Sequence, residues 1–170
     1  MKKKILSLTA LVLCFIMLFT GCSDTIKGNE EYDKVIVANI GSHEISLAEY
    51  NLIYNLVYNS YDQYYSNFNP NWYSSEIEDG KLGEYLVRET TMEQLKQMYA
   101  TYDLAKKNKV KIDNDLKNKV AEQKKEIIAQ NYNDNKGYKE FLAAIYTTDA
   151  AFDNIGAVPI IGAGLNEPHL

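Results

Sequence analysis

Side chains that commonly carry catalysis or bind metals are few in this sequence of 170 residues. The only histidines are His43 and His169, and neither belongs to a spacing that binds zinc. No Gly-x-Ser-x-Gly segment is present to activate a serine, and the acidic stretch at residues 76–79 is too short for a calcium loop. The sequence therefore predicts no catalytic residue, no metal site and no cofactor. His43 is expected to be a surface histidine in a turn.

Tyrosine is the residue type that stands out, with 14 residues, all of them after Cys22. A tyrosine has a large apolar ring and a polar hydroxyl, so it suits a half-buried groove as well as a core. Two series recur at spacings of three and four residues, which places each series on one face of a helix. The candidate groove residues are Tyr50, Tyr54, Val57, Tyr58 and Tyr61 in the first series, Met98, Tyr99 and Tyr102 in the second, and Trp72 in the loop between them.

The two series must be positioned by two long helices. Ser46 and Glu49, three residues apart, form a capping box at the start of the first helix. Before that start, the alternating residues of Val35 to Ile40 predict one short strand, and Gly41 to Ser42 predict a turn. The second series predicts a helix from Leu82 to Lys107, with lysines at its carboxyl end.

Three shorter helices are predicted in the second half of the chain. Asp113 can cap the first, Tyr138 to Tyr146 form the next, and the last begins at Asp149. The sequence therefore predicts a mainly α fold over residues 35–155, a small bundle of about four or five helices with one short N-terminal strand. Glycine and proline make residues 156–170 an expected irregular tail.

The charge of the chain argues against nucleic acid as a partner. It carries 18 basic and 23 acidic residues, a formal net charge of −5. Three of the lysines are among the first four residues, so 18 − 3 = 15 basic residues remain against 23 acidic ones, a net charge of −8. Phosphate contacts require clustered Lys and Arg, and this chain has the opposite balance.

The first 21 residues have the composition of a secretory signal peptide. Lys2 to Lys4 form a basic start, Ile5 to Phe19 are mostly apolar, and the small residues Thr20 and Gly21 follow. The apolar run is shorter than the roughly 20 residues that span a bilayer. This segment is therefore expected to be removed.

Residues 18–22, Leu-Phe-Thr-Gly-Cys, resemble the lipobox of bacterial lipoproteins, with Phe19 where leucine is usual. The resemblance implies cleavage before Cys22, a diacylglyceryl group on its sulfur, and anchoring at the extracytoplasmic face of the cell membrane. Residues 22–34 are polar and predict a flexible tether. Two alternatives remain open, a secreted protein cut near Gly21 and an uncleaved anchor.

The chain from Val35 to Ile155 resembles the N-terminal helical domain of the PrsA-type foldase lipoproteins and, more distantly, that of the chaperone SurA. Val37 to Gly41 match the strand before the first helix of that family, and Leu104 to Asp113 match the turn after its long helix. Phe141 to Thr148 match the closing pattern. The order and spacing of these segments carry the resemblance.

The resemblance implies a membrane-anchored chaperone or foldase module that binds unfolded exported polypeptides. The candidate groove residues would then contact the client, although the same side chains could instead form the helical core. Members of the family continue into a parvulin domain that catalyses peptidyl-prolyl isomerisation, whereas this sequence ends at Leu170, so no isomerase activity is expected of it. Two other interpretations stay open. One is the N-terminal part of such an isomerase, and the other is a structural surface lipoprotein with one dedicated partner.

Overall fold

The computed structural model describes residues 29–110, 114–132 and 134–155, and these are mainly helical, which confirms the predicted fold class. The helices are α1 (Leu47–Tyr65), α2 (Gly83–Lys107), α3 (Asn114–Asn131), α4 (Asn135–Ala144) and α5 (149–155). Two antiparallel hairpins pair β1 (Ile36–Ile40) with β2 (His43–Ser46) and β3 (Glu76–Glu78) with β4 (Lys81–Leu82). Glu30–Lys34 and Trp72–Ser74 are short 3-10 helices. The first of them corrects the predicted flexible tether over residues 30–34, and the Thr148 hydroxyl donates to its Asp33 carboxylate at 2.7 Å.

The start of α1 has the predicted capping box. The Ser46 hydroxyl accepts the backbone N–H of Glu49 at 3.2 Å, and the Glu49 carboxylate accepts the backbone N–H of Ser46 at 2.9 Å. Each side chain thus satisfies a backbone group that the helix end leaves open. This fixes the point at which the chain leaves β2 and enters α1.

The prediction of a single N-terminal strand is corrected by β2. Gly41 takes a left-handed conformation, with φ of +61°, and the chain reverses so that His43 to Ser46 pair with β1. The second hairpin, β3 with β4, lies at the end of the stretch that the sequence predicted as a loop. Strands of two to four residues have too short a pattern to be detected by alternation.

The core lies between α1 and α2, which pack against each other along their lengths. Strand β2 and the helices after α3 close its ends. The buried apolar side chains of this cluster include Ile45, Leu52, Ile53, Val57, Trp72, Val87, Leu95, Ile145 and Ile155.

The corner between α4 and α5 is hydrogen-bonded to the first half of the chain. The Thr147 hydroxyl donates to the carbonyl of Ala48 at 2.7 Å, and the Asn29 amide donates to the carbonyl of Thr147 at 3.1 Å. The Thr148 hydroxyl accepts the backbone N–H of Ala151 at 3.0 Å, so it caps α5 at the predicted start. These bonds place α5 beside the amino end of α1.

Helix α4 begins at Asn135, three residues before the predicted start, because Asp134 caps it by accepting the N–H of Gly137 at 2.8 Å. The predicted signal peptide, the lipidation site Cys22, the cap Asp113 and the tail at 156–170 lie outside the described residues. Among the described helices, none has the length and apolar character needed to cross a bilayer.

Candidate functional site

Aromatic rings follow α1 over its whole length. They share one connected set of ring and hydroxyl contacts, which we call the aromatic array. Helix α1 has 19 residues, and at about 1.5 Å per residue the array extends along about 28 Å. Its members are Tyr50, Tyr54, Tyr58, Tyr61, Tyr64, Tyr65, Phe68, Trp72 and Tyr73.

Trp72 is the centre of the array. Its side chain is 1% exposed, and its ring lies 5.4 Å from that of Tyr58, 6.2 Å from that of Tyr61 and 6.0 Å from that of Tyr65. The indole N–H donates to a carboxylate oxygen of Asp62 at 2.8 Å. Buried indoles commonly satisfy their N–H in this way, and the bond fixes the orientation of the ring.

Gly83, the first residue of α2, explains how Trp72 fits. A Cβ atom at this position would lie 2.5 Å from the carbonyl oxygen of Trp72 and 2.7 Å from its ring. Such distances are far shorter than contact distances between non-bonded atoms, so only glycine allows the approach. The 3-10 helix that carries Trp72 therefore packs directly on the start of α2.

Hydroxyl groups attach the tyrosines of the array to other elements. Tyr54 bonds the hydroxyl of Tyr73, and Tyr61 bonds the hydroxyl of Thr90 at 3.0 Å. Tyr65 donates to the carboxylate of Glu78, and this hydrogen bond raises the pKa of Tyr65 to about 12. The rings are thereby held in fixed positions relative to α2 and the second hairpin.

One end of the array is open to solvent. Tyr64 is 66% exposed and Phe68 is 80% exposed, and their ring centroids lie 6.1 Å apart. This end offers apolar surface that further contacts could bury.

The other end of the array contains a shallow pocket of about 270 Å³, lined by Tyr50, Asn51, Tyr54 and Arg88. The rings of Tyr50 and Tyr54 are stacked, with centroids 5.8 Å apart. Burial raises the pKa of Tyr50, and the positive charge of Arg88 opposes part of this rise. Burial and the hydrogen bond with Tyr73 likewise raise the pKa of Tyr54.

A second aromatic cluster lies beside the first hairpin. His43 stacks on Tyr99 at 4.6 Å, meets Tyr102 edge to face at 5.5 Å, and bonds Asp103 at 2.8 Å through Nε2. The Tyr99 hydroxyl donates to the buried carboxylate of Glu49 at 3.1 Å. The expectation that His43 is a plain surface residue in a turn is corrected, because it begins β2 and packs on two rings.

Comparison with known protein families identifies the domain. The family model of the SurA-like N-terminal domain matches residues 1–158. The chain belongs to this family. Searches of characterised proteins and of solved structures gave no significant match. The predicted resemblance to SurA-like N-terminal domains is thus confirmed.

Burial separates the predicted groove residues of this SurA-like domain into two groups. Val57 is 2% exposed, Trp72 1% and Tyr99 9%, so the structure places these three in the core rather than on a surface that a client could reach. The apolar faces of α1 and α2 pack on each other there, and the loop after α1 folds back over them. The half-buried residues, each with an accessible edge, are Tyr50, Tyr54, Tyr58, Tyr61, Met98 and Tyr102.

Sequence reasoning missed several members of the site. Arg88 is the only arginine of the chain, but a single charge on a helix usually marks a solvated face and gave no signal. Tyr65 and Phe68 continue the spacing of three and four residues from Tyr61, so the first series could have been extended to them. In the described part of the SurA-like domain, no group of acidic, histidine or cysteine side chains is arranged to hold a metal ion.

Proposed function

We propose that this SurA-like domain is a non-catalytic chaperone module that binds unfolded exported polypeptides through the exposed edges of the aromatic array. We further propose that a lipid on Cys22 holds it at the extracytoplasmic face of the cell membrane. Client contact is assigned to the half-buried tyrosines and to the exposed pair Tyr64 and Phe68. Met98 and Tyr102, on α2, are the second contact region.

The observation that carries the proposal is the continuity of the array from the pocket at Tyr50 to the exposed ring of Phe68. Extended polypeptide advances about 3.3 Å per residue, so about 28 Å of aromatic surface can contact eight or nine residues. The ring edges can contact apolar groups of a client, and the hydroxyl of Tyr50, which has no hydrogen-bond partner among the described residues, can bond its polar groups. A surface of this kind binds many sequences weakly, which is the requirement for a chaperone.

The binding proposal is tested by the aggregation of an unfolded client. The chain should slow the aggregation of a chemically unfolded secreted protein, followed by light scattering. The double substitution of Tyr64→Ser and Phe68→Ser removes two rings that are already largely exposed, so the fold should be retained. Losing part of their contact area with the client should weaken the effect about fivefold.

Tyr85→Ser is the matched control. Tyr85 is 67% exposed on α2, and it has no ring contact with the array among the described residues. This variant should protect the client as well as the wild type does. Equal activity of the double variant and the wild type, or no protection at several-fold molar excess, would remove the support for client binding. Capture of one partner at high affinity would favour a structural lipoprotein instead.

Membrane attachment needs a separate test, because Cys22 lies in the sequence segment before the described residues. Cells that express the full chain are labelled with a radioactive fatty acid, and the protein is recovered by immunoprecipitation. The wild type should incorporate the label, and Cys22→Ala should not. An unlabelled wild-type protein, released into the medium after cleavage near Gly21, would contradict the lipid anchor.

A further inference from the structure

We infer that the exposed end of the array binds the cationic side chains of an extended polypeptide, arginine or lysine. The site, which we call the aromatic corner, consists of the rings of Tyr64, Tyr65 and Phe68 and the carboxylate of Glu78. The inference rests on the proposed function, since it specifies which segments of a client this end of the array selects. It is supported by the arrangement of the rings, by the charge around them and by their position at the end of α1.

The rings of the aromatic corner have surface that a cation can approach. The planes of Tyr64 and Tyr65 are nearly perpendicular, at 85°, and their centroids lie 4.8 Å apart. The ring of Phe68 lies 6.1 Å from that of Tyr64 at an angle of 53°. Tyr64 is 66% exposed and Phe68 is 80% exposed. The face of an aromatic ring attracts a cation, and several rings together form the cages that bind quaternary ammonium groups.

The charge around the aromatic corner is negative. The Tyr65 hydroxyl donates to one carboxylate oxygen of Glu78, and the other oxygen has no hydrogen-bond partner among the described residues. An apolar ligand would remove this carboxylate from water without replacing its hydrogen bonds, whereas a cation would pair with it. Between Lys34 and Lys81 the sequence has no lysine or arginine, and its acidic residues there are Glu44, Glu49, Asp62, Glu76, Glu78 and Asp79.

The basic residue closest in sequence does not neutralise Glu78. Lys81 lies opposite Glu78 in the second hairpin, but its ammonium group bonds the carboxylate of Glu89 at 2.6 Å. Glu89 belongs to α2, so the charge of Lys81 is directed toward that helix. Within the described residues, Glu78 therefore has no cationic partner, and a client can supply one.

The position of the corner at the carboxyl end of α1 also favours a cation. Tyr64 and Tyr65 are the last two residues of α1, and the last turn of this helix has no basic residue. The carboxyl end of a helix has a partial negative charge, which stabilises cations placed there. At the corresponding end of α2, Lys106 and Lys107 supply that charge. At α1 a basic side chain of the client can supply it.

Arginine fits the aromatic corner better than lysine does. Its planar guanidinium group stacks on aromatic rings and can form two parallel hydrogen bonds with a carboxylate. The ammonium group of lysine is a compact charge that is more strongly hydrated. Arginine is therefore the side chain with which the site is best tested.

The test compares dye-labelled peptides by fluorescence anisotropy in about 0.15 M salt, where distant charges are screened. The full chain is held in nanodiscs of a zwitterionic phospholipid, and empty nanodiscs give the blank. Peptides of about nine residues, enough to follow α1 in extended conformation, alternate serine with arginine, with citrulline or with glutamate. Citrulline has the shape of arginine without its charge. The arginine peptide should bind about tenfold more tightly than the citrulline peptide, and the glutamate peptide should bind most weakly. Equal binding of the arginine and citrulline peptides, or tightest binding of the glutamate peptide, would overturn the inference.

Two variants locate the binding. Tyr64→Leu combined with Phe68→Leu keeps apolar surface but removes two ring faces, and it should weaken binding of the arginine peptide about fivefold. Glu78→Gln keeps an acceptor for the Tyr65 hydroxyl but removes the charge, and it should weaken binding about threefold.

Glu44→Gln is the matched control for charge. It removes the same charge from an exposed residue of β2, at the opposite end of α1, and should leave the affinity unchanged. Equal losses in Glu44→Gln and Glu78→Gln would show that only the overall charge matters and would overturn the inference. Unchanged affinity in the double leucine variant would do the same.

The aggregation assay separates this inference from the function on which it rests. A chain that protects unfolded clients but binds the arginine and citrulline peptides equally keeps the chaperone proposal and loses the cation site. A chain that neither protects a client nor binds any peptide loses both. Protection together with the tenfold preference for arginine, reduced in Glu78→Gln and not in Glu44→Gln, supports both.

Discussion

Replacement of Glu49 by alanine is the most informative test of the fold. Glu49 is 6% exposed, and its carboxylate accepts hydrogen bonds from three elements besides its own helix. The donors are the backbone N–H of Ser46 at 2.9 Å and its hydroxyl at 3.1 Å, the Tyr99 hydroxyl at 3.1 Å and the Asn154 amide at 3.4 Å. One side chain thus joins β2, α1, α2 and α5, so its loss should destabilise the whole domain.

The expected cost of Glu49→Ala follows from these bonds. Loss of the reciprocal half of a capping box costs about 1 kcal/mol. The hydroxyl of Tyr99, in a side chain that is 9% exposed, is left without an acceptor, which costs about 1–3 kcal/mol more. The free energy of unfolding should therefore fall by about 2–4 kcal/mol, and the midpoint of thermal unfolding by about 10 °C.

Trp72 provides the assay for Glu49→Ala. It is the only tryptophan of the chain and it is 1% exposed, so its fluorescence reports unfolding of the core in urea. Glu93→Ala is the control, because Glu93 is 56% exposed and, within the described residues, pairs with Lys96 alone, three residues later on the same helix. This control should change the free energy of unfolding by less than about 0.5 kcal/mol.

A double-mutant cycle isolates the contact between Glu49 and Tyr99. Tyr99→Phe should cost about 1 kcal/mol alone and much less in the Glu49→Ala background, which gives a coupling energy of about 1 kcal/mol. The reasoning fails if Glu49→Ala unfolds within about 0.5 kcal/mol of the wild type, or if the two substitutions are additive.

Three further changes test packing, an unpartnered hydroxyl and an ion pair. Gly83→Ala should lower the free energy of unfolding by about 1–3 kcal/mol, because the new Cβ would lie 2.5 Å from the carbonyl oxygen of Trp72; an unchanged urea midpoint would contradict this. Tyr132→Phe should raise the free energy of unfolding by about 1 kcal/mol, since its buried hydroxyl has no partner among the described residues; a fall would contradict this. Burial alone would raise the pKa of Asp149, but hydrogen bonds from Lys124, at 2.7 Å, and from a neighbouring tyrosine lower it below 3.8. The stability that this carboxylate adds is present above its ordinary pKa and is lost as the pH falls through the lowered value. Between about pH 5 and about pH 2, the free energy of unfolding, measured in urea, should therefore fall less for Lys124→Met than for the wild type. Equal falls in the two proteins would contradict this.

The long helices could be predicted from the sequence because several signals agree on them. For α1 the capping box at Ser46 fixed the start, and the tyrosine spacing fixed the face. For α2 the stripe that includes Leu95 and Tyr99 gave bounds within one residue of Gly83–Lys107. In a helix of five or more turns, a single residue that departs from the apolar spacing does not hide the pattern. Strands β3 and β4 have three and two residues, which is too few for an alternating pattern to be recognised.

The burial of individual residues on the array could not be predicted in the same way. Periodicity places Val57 and Tyr58 on adjacent positions of one broad face, but it does not say where that face meets solvent. The answer depends on Trp72, which packs on α1 from a short 3-10 helix and fits there because Gly83 has no side chain. Arg88 lines the pocket because α2 packs on α1 at that point, and helical periodicity does not predict how two helices pack.

The hydroxyl contacts of the array explain why tyrosine, and not leucine or methionine, is repeated along α1. A flexible methionine surface adapts itself to each partner, whereas the hydroxyls of Tyr54, Tyr61 and Tyr65 are each bound to another element. These bonds hold the exposed ring edges in place, so the client binding that we propose would not have to order them. Under the proposed function, the adaptation comes from the unfolded client, which follows the fixed rings of the array. Removing a hydroxyl that is bound inside the protein, as in Tyr61→Phe, should consequently weaken client binding through increased mobility of the ring, although the hydroxyl contacts Thr90 and not the client.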